Sequence, residues 1–317
     1  MKDFHPGVAV VTGAGSGIGR GTAKALAAHG AELIVADIDR AAADDAVAEL
    51  RDLGSKATAY ELDVADTAAL EEFAETVRTA HGVPDVVVNN AGIVVGGPFL
   101  DVPVEDLERI IDINLMAMIH GCRIFGQQMV ARGTGGHLVN ISSMAAFAPA
   151  PYGWPYSISK YAVKHFSECL RAELAPHGIG VTVICPGLIA TNLTATARMA
   201  SLTDRQADIG RRLALAGQAL FGADPDGAGR TIVRAIRKNI AVEPIRPEAR
   251  ISYPLARLFP GVVRAGMILA SDRRVERLVR RVIDDPRTVH LATTLADRLP
   301  LGTAISTPES ASRTASV

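Results

Sequence analysis

Tyr156 and Lys160 stand four residues apart in the run Tyr156-Ser157-Ile158-Ser159-Lys160. On a helix, positions i and i+4 share one face. A phenol and an ammonium on one face make an acid/base device. The positive charge favours the phenolate, so the spacing predicts a tyrosine pKa drawn down from its ordinary value of about 10 towards working pH. Alone the pair is a weak signal, because Tyr and Lys are common on helix surfaces. Its weight comes from residues further upstream.

Thr12-Gly13-Ala14-Gly15-Ser16-Gly17-Ile18-Gly19 follows a β-branched apolar run and opens a helical pattern. A glycine-rich turn from strand to helix lets backbone amides approach a pyrophosphate, and the helix N-terminus adds a favourable dipole. Glycines fall at 13, 17 and 19, with another at 15. Turns need glycine anyway, so the loop by itself does not decide the ligand. Asp37 adds the missing half. It closes the second apolar run, eighteen residues past Gly19, with Ile38 next to it. A carboxylate there can accept hydrogen bonds from both adenosine ribose hydroxyls and would repel a 2′-phosphate. No Lys or Arg occupies the loop before Ile18, and Arg40 reads as a solvated residue at a helix start. The combination points to NAD(H) in preference to NADP(H).

Positioning these groups takes a sheet. Short β-branched runs occur at 8–12, 32–37, 57–62, 85–89, 137–142, 181–185 and 240–243. Between them lie segments of helical period, such as 41–53, ended by Gly54, and 67–80, ended by Gly82. Strands that are apolar throughout, alternating with helices, predict an α/β fold: a doubly wound, Rossmann-type parallel sheet covered on both faces. Ligands then bind at the carboxyl ends of the strands. Past residue 245 the pattern changes. From Arg246 to Arg287 ten arginines stand against five acids, and Val275, Leu278, Val279, Val282 and Ile283 form a helical stripe. The predicted organisation is a catalytic domain over 1–244 with a lid near 188–222, a basic helical extension over 245–290, and a flexible Ser/Thr/Ala-rich tail over 291–317.

A chain of 317 residues, 48% hydrophobic, can bury a sizeable core without staples. Its net charge of −1 offers nothing to nucleic acid. Cys122, Cys169 and Cys185 sit in apolar periodic segments and read as small buried thiols of a reducing cytosol. The eight histidines lack ligand spacing, so no metal is expected; His5, His81 and His177 read as surface residues. No signal peptide pattern or spanning apolar stretch is legible, and the setting predicted is cytoplasmic.

In order along the chain, these residues resemble the short-chain dehydrogenase/reductase family over about 7 to 243. The family's glycine pattern is matched at Thr12 to Gly19. Its acidic adenine contact is similar to Asp63-Val64, and its NNAG motif to Asn89-Asn90-Ala91-Gly92. Its helix asparagine corresponds to Asn114, its serine to Ser143 (thirteen residues before Tyr156) and its YxxxK pair to Tyr156 and Lys160. Its PG turn corresponds to Pro186-Gly187, with Ile189 following and Thr191 holding the nicotinamide amide. The neighbouring Ser142 suits packing or a backbone hydrogen bond.

The resemblance implies hydride transfer between a secondary alcohol or ketone carbon and a nicotinamide. Tyr156 would exchange the proton with the substrate oxygen, and Ser143 would orient that oxygen. Lys160 would bind the nicotinamide ribose hydroxyls. Asn114 would hold a water linking Lys160 to bulk solvent. A wall of Val94, Met144, Phe147, Pro149, Pro151, Tyr152, Trp154, Pro155 and Leu188 suits a bulky apolar substrate: a steroid, retinoid, lipid or aromatic alcohol. Two alternatives stay open, a 3-oxoacyl-thioester reductase and a non-catalytic NAD(H) sensor or scaffold. Family practice also implies a homodimer or homotetramer built on helices at 107–130 and 156–174. The basic extension leaves peripheral membrane contact open.

Overall fold

The computed structural model describes residues 5–148, 150–194 and 197–270, together with Arg281, Asp285, Arg287 and Thr294. Its strands are β1 (Val8–Thr12), β2 (Glu32–Asp37), β3 (Ala57–Glu61), β4 (Val86–Asn89), β5 (Val95–Gly96), β6 (Gly136–Ile141), β7 (Ile179–Pro186), β8 (Arg198–Met199) and β9 (Val242–Ile245). Seven of them form one parallel sheet in the order β3-β2-β1-β4-β6-β7-β9. The order reverses between β1 and β4, which opens a crevice at their carboxyl ends. This is the Rossmann-like α/β fold that the alternating pattern predicts.

The central strands β1 and β2 are largely apolar because they feed two cores. Ala9 and Val11 of β1 and Leu33 and Val35 of β2 point into one layer. Val8 and Val10 of β1 and Ile34 and Ala36 of β2 point into the other. Successive side chains alternate faces, so burial on both sides leaves no room for a polar stripe.

The helices are α1 (Gly17–Ala27), α2 (Arg40–Asp52), α3 (Thr67–His81), α4 (Val104–Ile111), α5 (Ala117–Arg132), α6 (Trp154–Leu174), α7 (Asp204–Phe221), α8 (Pro225–Arg237), α9 (Pro247–Leu258) and α10 (Pro260–Ala270). Side-chain caps start several of them. Asp39 accepts from Ala42 N at 3.1 Å, Asp66 from Ala69 N at 3.0 Å, and Thr203 and Gln206 form a capping box.

Several expectations need correction. The helix read over 107–130 is not continuous: a π-helical turn, Asp112–Met116, joins α4 to α5. The last strand lies two residues later than read, at Val242–Ile245. Cys169 is exposed, whereas Cys122 and Cys185 are buried. His81 is no surface ornament. Its ring lies between Tyr60 Oη (3.1 Å) and Glu32 Oε1 (2.6 Å) with its side chain 12% exposed. In the extension, α9 and α10 precede the predicted stripe, and the residues of that stripe (Val275 to Ile283), like Pro149 and the tail apart from Thr294, lie outside the described residues.

Among the described residues no helix is long and apolar enough to cross a membrane. A short parallel pair, β5 with β8, fastens residues 198–199 to the segment before α4, and Arg198 Nη1 reaches Asp106 Oδ1 at 2.8 Å.

Candidate active site

The carboxyl ends of β1 and β4 build a cradle. Asn90 Nδ2 donates to Thr12 O and Gly13 O, both at 2.9 Å. Thr12 Oγ1 accepts from Asn90 N (3.1 Å) and Ala91 N (3.2 Å). These bonds hold the glycine loop against the strand beside it. Gly13 has φ 61°, and a Cβ there would meet Ala91 Cα at 2.9 Å, so any other residue would be strained in both backbone and space. Gly17 has φ 53° and faces Thr191, whose Cγ2 lies 3.0 Å from where a Cβ would be. Ser16 is the N-cap of α1, with Gly17, Ile18 and Gly19 in its first turn. Asp37, at the end of β2, accepts from Gly15 N (2.9 Å) and Asp39 N (3.1 Å). Ile38 beside it is 62% exposed. Asp63 is exposed and accepts from Ala65 N at 3.0 Å, while Val64 packs on the core. This donor-rich turn at a helix start, facing one fixed carboxylate, fits a dinucleotide pyrophosphate and ribose.

The second cluster stands where β6 and β7 end. Tyr156 and Lys160 share one face of α6, whose N-terminus carries Pro155 in its first turn. The Ser143 hydroxyl is hydrogen-bonded to the Tyr156 phenol and accepts from Ala145 N at 3.1 Å. Ser142 is turned the other way: its hydroxyl donates to Lys160 O at 2.7 Å. Lys160 Nζ donates to Ile141 O at 2.9 Å and lies 5.8 Å from the centre of the Tyr156 ring. Asn114 sits in the π turn. Its Oδ1 accepts from Ile93 N (2.8 Å), and its Nδ2 donates to Ile93 O (3.0 Å) and Ser159 Oγ (3.0 Å). Gly92 leaves space for both neighbours: a Cβ there would lie 3.0 Å from Asn114 Oδ1 and 3.4 Å from Lys160 Nζ.

The spacing predicts a lowered tyrosine pKa, and the structure corrects it. Burial raises the Tyr156 phenol above its ordinary value, and the Ser143 hydrogen bond only partly opposes that. Burial also pushes the Lys160 ammonium down to about 8. Desolvation is the largest cause of both shifts. Buried Cys185 and Cys122 are pushed up to about 12, so neither thiol is a nucleophile at neutral pH.

The residues of the predicted substrate wall make separate contacts. Phe147 leans on the core and packs against Tyr253 of α9, centroids 4.8 Å apart. Trp154 packs on Phe99 at 5.3 Å, away from that pair. Tyr152, at φ 61°, lends its carbonyl to Gly97 N, and Val94 lends its carbonyl to Arg198 N. Met144 lies in a short 3₁₀ turn after Ser143, and Leu188 is 39% exposed. Pro186 ends β7, Gly187 N donates to Ile245 O at 2.9 Å, and Ile189 is buried in a bridge with Ala223.

A family model described as short chain dehydrogenase matches residues 7–201. The chain belongs to the short-chain dehydrogenase family. It is 49% identical over 261 residues to the Probable oxidoreductase EphD of Mycobacterium tuberculosis, a match over 80% of this chain and 43% of that protein. It thus spans less than half the length of that relative. It is 39% identical over 193 residues to the 1-deoxy-11-beta-hydroxypentalenate dehydrogenase of Streptomyces avermitilis, covering 60% of this chain and 72% of that one. Among solved structures, a short chain dehydrogenase/reductase from Burkholderia phymatum in complex with NAD superposes with a TM-score of 0.73 at 28% identity, over 80% of this chain and 94% of that one.

Within this short-chain dehydrogenase, sequence reasoning missed three supporting residues. Ser159 and the Ile93 backbone hold Asn114, and nothing in their types signals it. Glu248, far along the chain, accepts from Leu188 N at 3.0 Å. Only a contact across sixty residues reveals it. Among the described residues no group of three His, Cys, Asp or Glu side chains is placed to hold a metal ion.

Proposed function

We propose that this chain is an NAD(H)-dependent oxidoreductase interconverting a secondary alcohol and a ketone on a bulky hydrophobic substrate. The observation that carries the reading is the hydrogen-bonded Ser143–Tyr156 pair above Lys160, opening beside a glycine cradle that faces Asp37. A nicotinamide dinucleotide, when bound, supplies the hydride carrier. Tyr156 takes the alcohol proton during oxidation and returns it during reduction. Ser143 holds the substrate oxygen and stabilises charge on it. Lys160 keeps donors to spare for ribose hydroxyls, and Asn114 fixes the π turn beneath it. Because burial holds the phenol proton on, oxidation should quicken as pH rises and reduction should weaken.

Preference for NAD(H) rests on Asp37 and on Arg40. The arginine's Nε is paired with Asp44 Oδ2 at 2.9 Å, one helical turn on, so binding a 2′-phosphate would compete with that exposed pair. Fluorescence titration with NADH and NADPH tests this; tighter binding of NADPH would overturn it. Substrate size rests on the apolar wall and on the name of the Streptomyces relative. A panel of steroid, retinoid, aromatic and long-chain secondary alcohols with NAD⁺, read by nicotinamide absorbance, tests it. Turnover confined to small alcohols would refute it.

The apolar groove between α5 and α6, lined by Ile119, Phe166, Leu170 and Leu174, supports a homodimer or homotetramer. In α9 and α10, exposed Leu258, Phe259, Val262, Ile268 and Leu269 beside Arg257 and Arg264 support peripheral contact with a membrane from a cytoplasmic setting. Sedimentation with anionic vesicles checks it.

A further inference from the structure

Helix α9 touches three segments of the site at once. At its first turn, Glu248 Oε1 accepts from Leu188 N and from Arg246 Nε, each at 3.0 Å. Leu188 begins the run expected to form the lid. Gly187 admits this carboxylate because it has no side chain: a Cβ there would lie 2.5 Å from Glu248 Oε1. Burial works against the Glu248 charge, yet the Leu188 amide, its own amide and Arg246 together hold its carboxyl below the ordinary range. One and a half turns on, the Tyr253 ring packs on Phe147, in the loop that follows Ser143. Lys164 Nζ stands 5.7 Å from the centre of the same ring, and Lys164 is on α6, one turn past Lys160. The junction that aims α9 is itself fixed. Gly187 N donates to Ile245 O, and Arg246 adopts φ 89°, uncommon for a residue with a side chain.

We propose that α9 braces the two walls of the active site, with Glu248 positioning the Pro186-Gly187-Leu188 turn and Tyr253 positioning the loop of Ser143. The proposal rests on reading the Ser143–Tyr156–Lys160 cluster as the active site, and it extends the working site beyond the family match, which ends at residue 201. Neither residue touches the reacting atoms. Each sets where a wall stands, so the distance between serine loop and lid base is governed by one helix. Loss of the brace should loosen binding while leaving proton transfer intact.

Three variants of the full chain test it: Glu248→Ala, Glu248→Gln and Tyr253→Leu. The first readout is amide hydrogen exchange over residues 187–194, measured without cofactor and therefore independent of activity. Losing a charge-assisted bond to Leu188 N should speed exchange there by about tenfold in Glu248→Ala. The second readout is the NADH Kd with the KM and kcat for an alcohol of the panel. Kd and KM should rise several-fold while kcat stays within about twofold. Glu248→Gln keeps an oxygen acceptor for Leu188 N and should recover most of both losses. Tyr253→Leu should raise KM for the alcohol and leave exchange at Leu188 unchanged.

Exchange, Kd and KM all unchanged in Glu248→Ala would overturn the brace, as would a glutamine variant impaired as badly as the alanine. Should Glu248→Ala fail to fold, Glu248→Gln and Tyr253→Leu still decide: a fall in kcat with KM unchanged in either contradicts a positioning role. If exchange and NADH Kd respond as expected but the wild-type chain oxidises no alcohol, the proposed function fails and the brace stands.

Discussion

Buried titratable groups stand near both ends of β6 and β7, and the two ends behave differently. At the carboxyl end, burial pushes Lys160 down to about 8 and raises Tyr156. At the amino end, burial and the neighbouring Arg171 charge push His137 down to about 4. Perturbation alone does not separate them. Hydrogen bonding does. Thr182 Oγ1 donates to Ile240 O at 2.7 Å, so it accepts from His137 Nε2 at 2.8 Å, and that short chain closes on a backbone carbonyl. Around it Arg171 is tied to Val181 O and Asn239. Lys160 has one acceptor for three donors. A shifted proton affinity marks chemistry only where bonding capacity is left over for a ligand.

The sharpest way to break this contrast is Tyr156→Phe. Removing the hydroxyl should cut turnover by about 10²–10⁴-fold with NADH affinity unchanged, measured by steady-state kinetics beside fluorescence titration. Surviving turnover would move the acid/base role elsewhere. His137→Asn at the other end should leave turnover alone and alter acid stability instead. His137 takes its proton at about 4 in the fold against 6.5 in the unfolded chain. Between those values the unfolded chain binds more protons, so stability is full above the upper one and falls towards the lower, by about 3 kcal/mol at most. Thermal melts at pH 7 and pH 4.5 should show a smaller loss in the asparagine variant than in the wild type.

Gly13→Ala addresses the cradle. A left-handed backbone costs a residue with a side chain about 1–2 kcal/mol, so NADH should bind about tenfold more weakly. An unchanged Kd would mean that the loop adjusts freely. The smallest effect belongs to Arg198→Ala in the β5–β8 clasp. The arginine is 59% exposed in its pair with Asp106, which limits any stability loss to under about 1 kcal/mol. A rise in KM with an unmoved melting temperature would identify the clasp as part of the lid.

Much of this was legible beforehand because it is local. The strand at Val8–Thr12, the turn that follows it and the carboxylate ending the next strand lie within one supersecondary unit, where glycine spacing and apolar runs express backbone geometry directly. The strand at Val242–Ile245 slipped by two residues, since its ends are set by pairing with β7 rather than by its own residues. The π turn at Asn114 was invisible: its residues are ordinary helix formers, and its side-chain amide is held by Ile93 and Ser159 from elsewhere. Spacing placed Tyr156 and Lys160 on one face but gave the wrong sign for the phenol, because spacing reports proximity and says nothing of solvent.

The sequence by itself determined the parallel sheet, the glycine turn and which side chains stand at the strand ends, for these follow from period, sterics and short-range connectivity. Tertiary structure alone decided how water is excluded from Tyr156 and Lys160, and that Glu248 reaches back to Leu188. Burial and contacts between distant segments depend on where the whole chain packs, and no local pattern encodes them.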